Sequence, residues 1–218
     1  MIIVNKKYKR QTKAQAEEIV KIIIDEYKGQ EVGLHFETPF QLAVALILAA
    51  QCTDERVNAT TPILFKKYPT IESLKNAKLE DIKKIVKPCG FYNNKAVSIK
   101  ETARITIDEF GGTLPCDIDK LQKLRGIGRK SANIIMLEGF GKCEGIAVDT
   151  HVTRISRKIG LSNGKNPIEI EKDLLKLLDK KYWVDLNHVL VLHGRQKCIA
   201  NRPQCDECPI NNMCKKND

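Results

Sequence analysis

The chain has 218 residues, enough for one domain or two small ones with a real hydrophobic core. Lys and Arg number 37 against 27 acids, a formal net charge of +10, which tilts only slightly towards a polyanionic partner over a merely soluble cationic surface. A bilayer span is excluded, because the longest apolar run, residues 42–50, is far shorter than the ~20 residues needed.

Residues 1–10 place a short apolar start before basic residues, the wrong order and length for a signal peptide, so an intracellular, cytoplasmic protein is expected. Of eight cysteines, Cys52, Cys89, Cys116 and Cys143 are scattered, while the other four crowd the C-terminus. Such clustering in a reducing compartment favours a metal site over a disulfide framework.

Helical periodicity dominates, and an all-α protein is expected. Thr12 and Gln15 make a capping box before Ala16, Ile19, Val20, Ile23 and Ile24. Thr38, Pro39 and Gln41 make a second box, opening a buried helix that ends near Gln51. Thr53 caps the next helix, with Asp54 and Glu55 near its positive end. Thr70 and Lys78 begin two short helices, the second stopping at Pro88. Residues 90–94 read as a turn and 95–110 as a helix ended by Gly111-Gly112. Helices over 117–124, 129–140, 151–159, 167–178 and 183–195 follow, and after Lys197 the composition turns irregular.

The stretch Leu124-Arg125-Gly126-Ile127-Gly128-Arg129-Lys130 is the most informative. Two glycines make a tight turn between helices, supply unusual dihedrals and let a phosphate approach the backbone. Ile127 can anchor the turn in the core. The next helix opens with free N–H groups that suit an anion, so Gly126, Gly128 and Arg129 are candidate phosphate contacts that read no sequence. An ordinary helical hairpin is the bland alternative, and the two cations after the glycines weigh against it. Lys130 sits in the first turn, where the helix dipole, Arg129 and Lys123 disfavour a cation, the direction a Schiff-base lysine requires. On the residues alone, nucleophile and simple phosphate contact are equally supported.

Asp149 follows a short apolar run, Gly145-Ile146-Ala147-Val148, and opens another helix. It suits an N-cap, and equally a carboxylate that faces Lys130 across a cleft and balances positive charge on a deoxyribose ring. His151, just beyond, is a candidate phosphate donor or a packed polar residue.

Cys198-x6-Cys205-x2-Cys208-x5-Cys214 can enclose a single centre, with Pro203 and Pro209 stiffening the loop. Structural zinc usually uses two close Cys pairs and this loop has one, so the spacing favours an iron–sulfur cube modestly.

Together these segments resemble the endonuclease III family of base-excision DNA glycosylases with AP-lyase activity. The resemblance covers nearly the whole chain. It includes Ala50-Gln51-Cys52-Thr53-Asp54, Gly90-Phe91-Tyr92-Asn93-Asn94-Lys95-Ala96, the hairpin with Lys130, Val148-Asp149-Thr150-His151 and Leu192-His193-Gly194-Arg195. It implies a two-domain helix-hairpin-helix fold, with a helical barrel over 33–141 and a second domain from 1–32 and 142–218 carrying a [4Fe–4S] cluster on Cys198, Cys205, Cys208 and Cys214. Lys130 falls on the family's nucleophile and Asp149 on its catalytic aspartate. The expected partner is double-stranded DNA holding damaged bases, oxidised pyrimidines above all, or abasic sites, met by a monomer.

Base flipping leaves a gap that something must fill. The resemblance places an intercalating Gln at Gln51 and an apolar wedge near Phe91; the alternatives are a polar helix-end residue and ordinary core packing. Related mismatch glycosylases lack the hairpin lysine, so a monofunctional enzyme ranks second, and a non-catalytic DNA-binding hairpin with a zinc loop third. Two features depart from the family pattern: Arg125 stands where proline is usual, and the loop 141–144 is about one residue longer.

Overall fold

In the computed structural model residues 9–30 and 33–216 are described, and every regular element among them is helical. They fall into two compact units, one within Met1–Glu31 and Gly145–Asp218, the other within Val32–Glu144.

The second unit is built around α2 (Pro39–Ala49), which buries Phe40, Leu42, Ala43, Val44, Ala45, Ile47 and Leu48. A helix apolar on most of its circumference has to be surrounded. Here α3 (Asp54–Lys67) and α6 (Tyr92–Phe110) pack against it. Helices α4 (Ile71–Asn76) and α5 (Leu79–Val86) lie on α6, and α5 also meets α3. The expected Thr38 box is only half formed. Thr38 Oγ1 accepts from the Gln41 amide at 3.2 Å, but the Gln41 side chain turns to the amide of Glu37 at 2.8 Å. Thr70 makes a full box instead, exchanging bonds with Ser73.

The end of α2 and the start of α6 both move, and both moves matter to the site. Helix α2 stops at Ala49 instead of near Gln51. Helix α6 begins at Tyr92, so the expected turn over 90–94 shrinks to Gly90 and Phe91, at φ 68° and 46°. A left-handed residue reverses the chain within one peptide, and the helix resumes at once. At its other end α6 stops as expected at Gly111, with the Gly112 amide bonded back to the Thr106 carbonyl at 2.9 Å.

In the first unit α1 (Lys13–Glu26) opens on the reciprocal Thr12–Gln15 box and buries Ala16, Ile19, Val20 and Ile23. It packs on α11 (Trp183–Gln196), which also packs on α9 (Thr150–Ile159), and α9 meets α10 (Pro167–Leu177). Ile155, Ile159, Leu174, Leu186 and Leu190 close this core. The segment after α11 is a chain of turns anchored by the buried Ile210.

Candidate active site and cysteine pocket

The hairpin lies within the second unit. Its entering helix α7 (Ile118–Leu121), capped by Asp117, is shorter than the expected 117–124, because the chain turns from Leu121 and bonds Leu124 N to Leu121 O at 3.1 Å. Ile127 is 3% exposed and anchors the turn. The two glycines do different work. Gly126 takes φ +90°, and a Cβ there would lie 3.4 Å from Ile47 Cγ1 and 3.5 Å from Ser98 Oγ. Gly128 does not carry the unusual dihedrals expected of it: φ is −90° and ψ 179°, extended backbone open to any residue. Nothing lies within 4 Å of where its Cβ would be, so its contribution is an open approach to the backbone.

Gly128 N-caps α8 (Arg129–Ile134) and brings no side chain to the first-turn amides. Lys130 is exposed in that first turn. The expected helix over 129–140 is α-helical only to Ile134, and Ile135–Gly139 widens into a π-turn. Gly139 lies against Pro39 there, a Cβ at Gly139 falling 3.2 Å from Pro39 Cβ.

Gln51 and Phe91 share a property that no sequence pattern announces. Among the described residues, Gln51, Phe91 and Lys216 alone are non-glycine residues at positive φ. Gln51 sits at φ 54° and is exposed; Phe91 sits at φ 46° and is 65% exposed. Core packing of Phe91 is thereby ruled out. A left-handed L-residue is strained by roughly 1–2 kcal/mol and clusters at functional sites.

In the first unit Asp149 is the N-cap of α9, its Oδ1 accepting from the Val152 amide at 2.8 Å. The run before it is buried, and Asn187 Nδ2 donates to Ala147 O at 2.7 Å, fixing the approach to the carboxylate. His151 is half-buried in the first turn of α9 and faces Gly194, where an added Cβ would come 2.7 Å from its Nδ1.

Cys198, Cys205, Cys208 and Cys214 line one pocket together with His193. Burial first, and then the other thiols of the loop, raise the Cys208 and Cys214 pKa values. Among the described residues no three His, Cys, Asp or Glu side chains close around a point as a single metal ion needs. Four thiols that share one pocket without converging on a point fit a multi-atom cluster better than one zinc ion.

Two side chains at this pocket were not anticipated. Arg154 Nη1 donates to Cys198 Sγ at 3.6 Å and Nη2 to Gly194 O at 3.4 Å. His193, 1% exposed, has Nδ1 3.2 Å from the Tyr27 hydroxyl and Nε2 3.8 Å from Cys208 Sγ. Burial, with the Arg154 and Lys197 cations adding to it, pushes the His193 pKa down to about 4. The spacing of α9 and α11 could have hinted at both residues, but only folding sets them against the cysteines.

Known proteins resemble this chain in sequence and fold. The model of the HhH-GPD superfamily of base excision DNA repair proteins matches residues 44–180. Endonuclease III of Synechocystis sp. is 41% identical over 202 residues, covering 93% of this chain and 92% of that one. Endonuclease III of Escherichia coli is 37% identical over 203 residues, covering 93% and 96%. A solved structure described as a trapped endonuclease III–DNA covalent intermediate matches with a TM-score of 0.88 at 36% identity, covering 94% of this chain and 97% of its own. With a family model over more than half its length and full-length relatives near 40% identity, the chain belongs to the endonuclease III family.

Proposed function

We propose that Lys130 is the covalent nucleophile, and Asp149 its carboxylate partner, of a base-excision enzyme acting on damaged duplex DNA. As an endonuclease III, the protein is a DNA glycosylase with AP-lyase activity on oxidised pyrimidines. The observation that carries the assignment is the exposed Lys130 amine in the first turn of α8, directly after a hairpin with one open glycine. The Arg129 cation and the backbone at Gly126 and Gly128 hold the phosphates beside it, and His151 contributes a further phosphate donor.

The chemistry runs in four steps. The Lys130 amine attacks C1′ of the flipped nucleotide, the glycosidic bond breaks, and the base leaves with the bonding electrons and a proton. The sugar ring opens as the C1′–nitrogen adduct becomes a Schiff base. Loss of a C2′ proton then expels the 3′ phosphate by β-elimination, cutting the strand 3′ to the lesion. Water finally hydrolyses the imine and frees Lys130. Asp149 balances the positive charge that builds on the sugar and moves protons. Gln51 faces the orphaned base, having both donors and an acceptor, while Phe91 wedges into the stack.

Cys198, Cys205, Cys208 and Cys214 hold a [4Fe–4S] cluster in this reading. When bound, the cluster supplies one-electron capacity and cross-links the C-terminal loop. The Lys130 and Asp149 chemistry draws on none of that capacity. Anaerobically purified protein is expected to be yellow-brown with about four irons per chain; stoichiometric zinc without iron would overturn this. The setting is intracellular, where the damaged DNA is.

Borohydride trapping on abasic-site DNA tests the nucleophile. Wild type gives a covalent adduct, Lys130→Gln binds without one, and Asp149→Asn binds with turnover down about 100-fold or more. An adduct that persists in Lys130→Gln moves the nucleophile elsewhere.

A further inference from the structure

Lys95 is the fourth residue of α6 and is only 5% exposed, a rare place for a lysine. Its Nζ donates to Leu48 O at 2.8 Å and to Cys89 O at 2.8 Å. Leu48 belongs to the last turn of α2, three residues before Gln51. Cys89 closes the 3-10 turn Lys87–Cys89, two residues before Phe91. One ammonium therefore joins the two chain segments that lead into the left-handed turns.

The physical case for holding them is direct. The last carbonyls of a helix have no intrahelical partner and carry the negative end of its dipole, so a cation satisfies them well. A buried ammonium in turn has to be met by acceptors, or it pays for its lost hydration. Burial lowers the Lys95 pKa from its ordinary value, while the nearby Cys52 and Cys89 thiols oppose that shift. Backbone bonds add a local tie: the Asn94 and Lys95 amides both donate to Phe91 O at 3.1 Å. Turns whose central residue is strained stay left-handed only when surrounding contacts over-determine them. Lys95 is placed to supply such contacts to both turns at once.

We propose that Lys95 is a positioning residue that locks the Gln51 and Phe91 turns into one rigid DNA-reading unit. The inference rests on the assignment of Gln51 and Phe91 to the gap left by the flipped base. Lys95 touches neither substrate nor reacting atoms; it sets where the two inserted side chains point. Loss of the ammonium should therefore harm the steps that open the duplex and spare those that follow.

Lys95→Met keeps the length of the side chain and removes its donors. Single-turnover excision of an oxidised pyrimidine from duplex DNA should fall at least tenfold, while lyase cleavage at a pre-formed abasic site changes less than about threefold. Lys95→Arg, which keeps a cation, should recover part of the loss. In a double-mutant cycle, Lys95→Met should add little to Gln51→Ala, because one effect acts through the other. Hydrogen exchange should speed up in 49–53 and 89–93 together, without DNA present. Equal losses on both substrates, full additivity with Gln51→Ala, or exchange that changes in one segment alone would overturn the proposal. If Lys95→Met does not fold, Lys95→Gln, which keeps a donor too short to span both carbonyls, takes the same tests. Should Gln51→Ala and Phe91→Ala leave duplex excision unchanged, the gap-filling assignment fails, while the exchange result still judges the clamp itself.

Discussion

At the hairpin the left-handed residue is Gly126, at φ +90°; at the two exposed turns of the same unit it is Gln51, at φ 54°, and Phe91, at φ 46°. The backbone demand is the same, and the residue chosen differs because the working part differs. At the hairpin the proposed working part is main chain, so a side chain would only obstruct it. At the other two turns the proposed working part is the side chain itself, and the strain of an L-residue in the left-handed region, roughly 1–2 kcal/mol each, is tolerated. A fold selected for stability alone would have placed glycine at all three. Strain retained at two exposed positions supports the proposal that their side chains act on DNA.

Substitutions that exchange these roles give the sharpest checks. Gly126→Ala should have the largest effect, destabilising by about 1–2 kcal/mol, because it forces an L-residue to φ +90°. Urea unfolding reads this directly, and an unchanged midpoint would show that the turn relaxes to another shape. Gln51→Gly and Phe91→Gly should act in the opposite direction. Each is expected to raise stability by up to about 1 kcal/mol while slowing excision from duplex DNA several-fold. If either glycine variant excises normally, that side chain is not the working part of its turn.

Gly128→Ala is expected to be the smallest in stability, within about 0.5 kcal/mol, since its φ is ordinary and its surroundings are open. Its loss should appear in DNA affinity instead, because the added methyl occupies the approach to the α8 amides. Duplex binding measured over a salt series should show weaker affinity at every salt concentration. Normal affinity in that variant would mean that phosphates do not approach Gly128. A Cys208→Ser variant extends the comparison to the other unit, where the proposed constraint is a cluster cross-link instead of a dihedral. It should lose the iron and unfold at a lower temperature, whereas an iron-free protein with unchanged melting would limit the loop to a passive role.

Much of this was legible in the linear chain, and the reason is distance along it. The Thr12–Gln15 box, the caps at Thr53 and Asp149, the Gly-x-Gly turn before Lys130 and the spacing of the last four cysteines are patterns spanning a few residues. Their physics acts between near neighbours, so residue identities suffice. Even there the limits show: Gln41 turned to Glu37 instead of Thr38, and α6 began three residues early.

What only the tertiary structure decided involves partners far apart in sequence. Phe91 reads equally as core or wedge until its 65% exposure is known. Lys95 stands in a quoted motif, but its meaning depends on Leu48, 47 residues away. His193 gains its setting from Tyr27, at a separation of 166, and from Cys208. Gly126 and Gly128 are the same residue in one motif, and the backbone that folding imposes, φ +90° at one and an extended −90° at the other, makes the first a conformational necessity and leaves the second an open door. Burial, strain and long-range hydrogen bonds are properties of three-dimensional neighbours, and a neighbour brought near by folding leaves no mark on the residues beside it in the chain.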